Sequence, residues 1–196
     1  MSFVKILRIL PEIHSNFVQY TPPMMNQMFT QGIGFLALFF VILSFQKRER
    51  QALLWVMLIG LLLFVAHFSL LNAWTGSFMN LIEVGIVFVS FKKDTAVWAR
   101  WRFWPHIFIL SYILAGFLTF KILSDILPII AQIFGAVAVW QKNPHAIRFI
   151  MLIPRPLWFI YNFIVGSYAG MVTEVFILLS VVVGIIRFDI LGQTQK

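Results

Sequence analysis

The sequence predicts an all-α polytopic membrane protein with seven transmembrane helices, and three observations support this fold class. Of the 196 residues, 61% are hydrophobic and only 11% are charged, and the mean hydropathy is +0.91. Soluble domains average about 45–50% apolar and about 25% charged residues, so this chain needs lipid to cover its apolar surface. The apolar residues also form runs of spanning length, and the basic residues cluster between alternate runs.

Seven apolar runs have the roughly 17–25 residues that are needed to cross the hydrocarbon core of a bilayer. The predicted spans are Met24 to Phe45, Gln51 to Leu71, Trp74 to Phe91, Phe103 to Phe120, Ser124 to Trp140, Ala146 to Ile164 and Ser167 to Ile186. Residues 1–23 precede them and form either an interfacial helix, in which Lys5, Arg8 and Glu12 share one face, or an unstructured leader.

The distribution of positive charge tests this count of spans. With seven spans, eleven of the 15 Lys and Arg residues fall in the loops on one side or within three residues of them, three fall on the other side, and Arg155 lies deep inside a span. Because cytoplasmic loops are enriched in Lys and Arg, this predicts an external N-terminus and a cytoplasmic C-terminus. Indole rings prefer the headgroup level, and six tryptophans fall at predicted interfaces: Trp55, Trp98, Trp101, Trp104 and Trp140 on the basic side, and Trp74 on the other.

These patterns also exclude several classes of function. The loops explain the net charge of +8, so no nucleic-acid partner is expected. The absence of cysteine excludes disulfides, thiolate metal sites and a cysteine nucleophile. The sequence has no cluster with metal-ligand spacing, no glycine-rich phosphate loop and no nucleophile–base pair close in sequence. We therefore expect no cofactor, no metal and no enzymatic activity.

A short pattern occurs twice and indicates an internal repeat. Asn72 followed by Gly76-Ser77-Phe78 matches Asn162 followed by Gly166-Ser167-Tyr168, with an offset of 90, whereas Met57-Leu58-Ile59 matches Met151-Leu152-Ile153 with an offset of 94. Each copy of the first pattern joins the second and third helix of a three-helix group. The pattern predicts two parallel repeats, residues 24–91 and 124–188, a linker helix in residues 92–123, and a cytoplasmic tail in residues 189–196.

Short segments in order along the chain carry a family resemblance. They are Gln31 through Arg50, His67-Phe68, Leu70-Leu71, Leu127-Pro128-Ile129, Trp158, Asn162, Gly166-Ser167, Gly170, Glu174 and Ile185-Ile186-Arg187-Phe188. This set resembles the YgjV-type bacterial inner membrane proteins, which are grouped with the PQ-loop and MtN3-like proteins that include the SWEET transporters. The resemblance covers roughly residues 27–188. It implies a SWEET-like arrangement of 3+1+3 helices in the bacterial inner membrane, with the N-terminus outside.

Four charged or histidine residues lie more than three residues from either end of a predicted span, where each is a candidate functional group because charge is costly in hydrocarbon. They are His67, Glu83, Arg155 and Glu174. Pro154 and Pro156 flank Arg155 and predict a broken helix at this point. Arg155 then forms a structural ion pair with Glu83 or Glu174, contacts a solute or proton directly, or extends toward the membrane surface.

Asn72 and Asn162 are the polar pair of the predicted repeat. The resemblance to SWEET proteins implies that they face each other across a substrate pocket, with Trp158 as an apolar wall. Two such amides would suit a polar, largely uncharged solute. The alternatives are that each Asn caps a helix beside a tight Gly-Ser turn, and that Trp158 is a packing residue.

Together these features predict a transporter or facilitator that binds a small solute between the two repeats. Its partners would be the lipid bilayer, the solute and, as coupling ion, the proton. The alternative is a non-transporting membrane receptor or assembly factor that uses the same bundle. The substrate, the coupling ion and the oligomeric state do not follow from the sequence.

The predicted topology is testable with reporter fusions. Because basic loops are retained in the cytoplasm, fusions after Thr95 and after Lys196 should report a cytoplasmic location. A fusion within the turn of residues 72–76 should report an external one. An external C-terminus would require an even number of spans and would contradict the predicted repeat.

Overall fold

The computed structural model describes residues 24–139, 141 and 143–192, and within these ranges the protein is helical, with no strand. The predicted interfacial helix or leader of residues 1–23 lies outside the described residues, as do Trp140 and residues 193–196. The helices are α1 (Met24–Phe45), α2 (Arg50–Leu70), α3 (Trp74–Lys92), α4 (Trp104–Thr119), α5 (Ile126–Val139), α6 (Pro144–Met151), α7 (Pro154–Ile164) and α8 (Tyr168–Gly184). Short 3₁₀ turns precede α4 and α5, and a π-helical turn, Ile185–Ile190, extends α8.

The helices correspond to the seven predicted spans, with boundaries that shift by a few residues. Five helical segments in the described ranges are long and apolar enough to cross a membrane, and two more, Trp104–Thr119 and Leu123–Ala138, are apolar but shorter. Large apolar side chains face outward; Leu110, Phe117 and Leu118 of α4 are 65%, 81% and 72% exposed. Such a surface is stable only where lipid covers it, which confirms the predicted membrane class.

The sixth predicted span is broken, as the two prolines indicated. Helix α6 ends at Met151 and α7 begins at Pro154, with a turn at Leu152 and Ile153 between them. Pro154 and Pro156 lie in the first turn of α7, where backbone N–H groups have no partner within the helix. The prolines therefore sacrifice few hydrogen bonds, and Arg155 starts a new helix inside the bundle.

Six helical segments pack in a closed ring. Around it, α1 contacts α2, α2 contacts α3, α3 contacts α5, α5 contacts α7, α7 contacts α8, and α8 returns to α1. Helix α4 packs outside the ring, against α3 and α5, and α6 packs mainly against α5. The main apolar cluster joins Phe64 and Phe68 of α2, Tyr112 of α4, and Trp158 and Tyr161 of α7.

One end of the bundle, here called the turn end, consists of the α2–α3 and α7–α8 turns. Each turn closes its helix with the two backbone bonds of a Schellman motif. These are Asn72 N–H to Ser69 O (3.0 Å) and Ala73 N–H to Phe68 O (2.9 Å), and Gly166 N–H to Phe163 O (3.4 Å) and Ser167 N–H to Asn162 O (2.8 Å). Asn72 and Gly166 occupy the left-handed position, with φ of 57° and 71°.

These bonds correct the alignment of the predicted repeat. Asn72 has the same position in the first turn as Gly166 in the second, and Phe68 the same as Asn162, so the two turns match at an offset of 94 residues rather than 90. Trp74 and Tyr168, which begin the helices after the turns, have the same separation. The match between the Asn and Gly-Ser residues of the two segments, at an offset of 90, therefore differs by four residues, about one helical turn, from the match between the backbone bonds of the turns.

The opposite end, here called the basic end, is held by ion pairs and lined with exposed indoles. Arg148 donates from Nε and Nη2 to both carboxylate oxygens of Asp189, at 2.7 and 2.5 Å, and Arg50 contacts Asp94 at 2.5 Å. Trp98 and Trp101, in the loop before α4, are about half exposed. Indoles at this level match the predicted aromatic belt.

The left-handed turn is testable by substitution. Gly166→Ala should lower the free energy of unfolding in detergent by about 1–2 kcal/mol, because a side chain is strained at this φ. Asn72→Gly should leave it unchanged or raise it slightly, since Gly adopts the same conformation without strain. Gly32→Ala is the matched control, because it lies within α1 and its added Cβ meets nothing within 4 Å. Equal effects of Gly166→Ala and Gly32→Ala would contradict the left-handed turn.

Candidate functional site: a polar cavity inside the bundle

A cavity of about 140 Å³ lies between the helices of the ring. This volume is well above the roughly 10–15 Å³ that one water requires, so several waters or a small solute fit. Its polar lining comprises Asn80, Glu83, Gln132, Arg155, Asn162, Thr173 and Glu174, and its aromatic lining includes Phe64, Phe68 and Trp158. Five of the seven residues predicted for the site therefore line one cavity; Asn72 and His67 do not.

Arg155 is neutralised by Glu174, so the predicted pairing with one of the two acids is confirmed and its partner is identified. Nη1 of Arg155 donates to Oε2 of Glu174 at 3.1 Å, and the side chains are only 14% and 10% exposed. Nε of Arg155 is buried without a hydrogen-bond partner. Removing one member of such a pair leaves the other charge uncompensated, which makes the pair hard to lose.

Glu83 has a different environment in the same cavity. Its Oε2 accepts a hydrogen bond from Nε2 of Gln132 at 3.3 Å. In the described part of the chain, no basic side chain forms an ion pair with it. The two acids in the cavity thus divide into one paired with a cation and one paired with a neutral amide.

Asn162 is a second lining residue, besides Arg155, with a buried polar atom that forms no hydrogen bond. Its side chain is 1% exposed, and its Oδ1 has no hydrogen-bond partner. Gly170 leaves room for it, because a Cβ at Gly170 would collide with the Asn162 amide. Asn80 lies on α3 and donates from Nδ2 to Gly76 O at 2.9 Å.

The predicted pairing of Asn72 with Asn162 across a pocket is wrong. Asn72 is exposed in the left-handed turn at the turn end, outside the cavity. The residue of the first half that corresponds to Asn162 is Phe68, which does line the cavity. Asn72 thus lies at the end of a helix, as in the capping alternative, but it ends the helix through its left-handed backbone conformation.

Trp158 and its neighbours make the apolar wall of the cavity. The Trp158 ring lies 5.9 Å from Phe68 and 5.7 Å from Tyr161, measured between centroids, and Trp158 is 6% exposed. Aromatic pairs at such separations contribute packing beyond simple burial. Trp158 therefore both packs the core and lines the cavity, so the two alternatives for it are compatible.

His67 lies in a helix interface rather than in the cavity. Its Nδ1 is 2.8 Å from Thr30 O, and its Nε2 is 2.8 Å from Ser167 Oγ. A carbonyl oxygen only accepts, so Nδ1 carries the proton and Nε2 accepts from the hydroxyl. A Cβ at Gly34 would lie 2.7 Å from the ring, which shows how closely α1 approaches it. His67 thus joins α1 to the start of α8.

The sequence did not predict several lining residues, because neutral amides and aromatic side chains are common in spans and do not stand out as charged residues do. The signal was the offset of 94 in the Met-Leu-Ile segments. Ten lining residues form five pairs with that separation: Leu61 and Arg155, Phe64 and Trp158, Phe68 and Asn162, Asn80 and Glu174, and Glu83 and Ile177. Gln132 has no such partner and follows only from the packing of α5 against α3.

The fold and cavity define a polytopic helical membrane protein with a polar, charge-bearing cavity inside its bundle. Comparison with protein families agrees with this class. The chain matches the family Imp-YgjV, bacterial inner membrane protein, over residues 28–191, and it belongs to that family. It is thus a multi-pass protein of the inner membrane. Comparisons with curated proteins and with solved structures found no match.

The ion pair predicts a pattern of rescue. Arg155→Met should lower the free energy of unfolding by about 3–5 kcal/mol, because Glu174 is left buried without its partner. A second change, Glu174→Gln, should restore part of the loss, whereas Glu83→Gln in the same background should not. Thermal and chemical unfolding of the purified variants in detergent measure both effects. Equal rescue by the two Gln substitutions would contradict the assigned partner.

Proposed function

We propose that the protein transports a small polar solute across the inner membrane, and that the cavity is its binding site. One observation carries the proposal: the lining of the polar cavity contains five pairs of residues that are each 94 positions apart in the chain. A site at the interface of two structural repeats is the arrangement expected of secondary transporters, in which the halves move around a bound solute. An apolar bundle with no such role gains nothing from unpaired polar groups in its interior.

The proposal includes an arrangement of two parallel three-helix repeats around a linker, as in SWEET-like and PQ-loop proteins, with the N-terminus outside. The ring of contacts supports this arrangement. Contacts within α1, α2 and α3 match those within α5, α7 and α8, and the contact of α1 with α8 matches that of α5 with α3. The Schellman turns 94 residues apart support it too. Helix α4, which packs on α3 and α5 outside the ring, takes the place of the linker.

The broken sixth span supplies a means of movement. The turn at Leu152 and Ile153 separates α6 from α7, so the two segments can change their relative angle at little cost. Arg155 lies directly after this turn and contacts α8 through Glu174. Movement at the turn would therefore change the cavity itself. Glu83, which lacks a cationic partner, is the group suited to carry a coupling proton.

Transport is testable in proteoliposomes that contain the purified full-length protein. Loaded with pooled small metabolites and assayed for release, wild-type vesicles should lose a specific solute faster than protein-free vesicles. Asn162→Ala and Glu83→Gln should each reduce that release at least tenfold, because both groups line the site.

Glu49→Gln is the matched control, since Glu49 is an exposed acid outside the cavity and its loss should leave release unchanged. Binding of a solute without release from any vesicle would contradict transport and favour a membrane receptor.

A further inference from the structure

We infer that the solute bound in the cavity is a small organic cation, a protonated amine, with Glu83 as its counter-ion. The inference rests on the proposed function for the movement of this solute, but its binding is a separate property of the cavity. Three features of the lining support it: two carboxylates with a single guanidinium, an amide oxygen without a hydrogen-bond donor, and aromatic walls.

The charges of the cavity favour a cation. Arg155 and Glu174 compensate each other at 3.1 Å, so their pair presents no net charge to a solute. Glu83 has only the Gln132 amide as its hydrogen-bond partner. Arg155 also acts on Glu83 electrostatically, but one guanidinium does not balance two carboxylates, so the ionised lining has a net negative charge that a proton or a bound cation would compensate. An anionic solute would meet Glu83 with the same sign of charge and with no free cation to offset it.

The hydrogen-bonding groups of the cavity favour an amine among cations. Oδ1 of Asn162 is an acceptor without a donor; it packs against Gly170, and an ammonium group reaches it once the side chain turns toward the cavity. A protonated primary amine has three donors and no acceptor, so it matches one carboxylate and one amide oxygen. Nε of Arg155 is a donor without an acceptor. A hydroxyl group on the amine would satisfy it once the Arg155 side chain turned this buried atom toward the cavity, which makes an amino alcohol a better match than a plain alkylamine.

The aromatic walls suit the same ligand. Phe64, Phe68 and Trp158 line the cavity together with Glu83 and Asn162. Aromatic faces attract ammonium groups, and the attraction strengthens where water is excluded. The cavity of about 140 Å³ limits the ligand to a small molecule. A sugar or polyol would use the amides but would leave the Glu83 charge unmatched.

Binding to the purified full-length protein in detergent tests the inference, with ethanolamine, ethylammonium and choline as cationic probes. Ethylene glycol is the neutral probe and acetate the anionic one. Thermal unfolding and isothermal titration should show saturable binding of the cations, with ethanolamine tightest. Glu83→Gln should weaken binding of ethanolamine at least tenfold, and Trp158→Phe should weaken it severalfold. Glu49→Gln should bind ethanolamine as wild type does.

The outcomes separate the ligand class from transport. Binding of cations that Glu83→Gln abolishes, in a variant that elutes as a monodisperse peak, supports the inference. Binding of ethylene glycol or acetate without binding of any cation would overturn it and leave transport standing. Binding of cations that never leave proteoliposomes would keep the ligand class and overturn transport. Absence of binding by all five probes would overturn the inference.

Discussion

Two hydrogen bonds that cross between the halves of the bundle determine where its cavity forms. Nε2 of His67 accepts from Ser167 Oγ at 2.8 Å, and the Tyr161 hydroxyl accepts from the Gly76 N–H at 2.9 Å. His67 and Tyr161 are 94 positions apart; His67 bonds to Ser167, directly before α8, and Tyr161 bonds to Gly76, in the first turn of α3. No water replaces a broken bond in hydrocarbon, and these contacts therefore fix how the halves meet. Phe68 and Asn162, the next residues along, line the cavity.

The two acidic side chains of the cavity have different partners: Glu174 forms an ion pair with Arg155, and Glu83 accepts a hydrogen bond from the Gln132 amide. Pro154 and Pro156 start a helix within the bundle at almost no loss of backbone bonding, and this start places Arg155 beside Glu174 on α8. That pair stabilises the contact between α7 and α8. Glu83 accepts one hydrogen bond, from Gln132 on α5, and forms no ion pair in the described part of the chain, whereas Asn162 keeps an amide oxygen without a donor. Under the proposed function, Glu83 and Asn162 bind the solute, while the pair of Arg155 and Glu174 stabilises the bundle.

The sequence predicted the spans and the broken helix because both follow from local properties. Apolar runs of spanning length and the Pro-Arg-Pro segment carry their physical reason in adjacent residues. The pairing of Arg155 with an acid was also predictable, since hydrocarbon penalises any lone charge. The repeat register was not, because the Asn and Gly-Ser letters match in composition while the hydrogen bonds of the turn align Asn72 with Gly166. Gln132 and Asn80 depend on tertiary packing, which no local pattern encodes.

Under the proposed function, the Glu83 carboxylate, which forms no ion pair with any described residue, has an electrical consequence. If Glu83 releases a proton when a monovalent cation arrives, and regains one when the cation leaves, the cavity carries the same net charge on both journeys across the membrane. One cation and one proton then move in opposite directions, and no net charge crosses the bilayer. The membrane potential, which acts with about 2.3 kcal/mol per elementary charge per 100 mV, would neither drive nor oppose such a cycle. The difference in acidity between the two compartments would remain its source of energy.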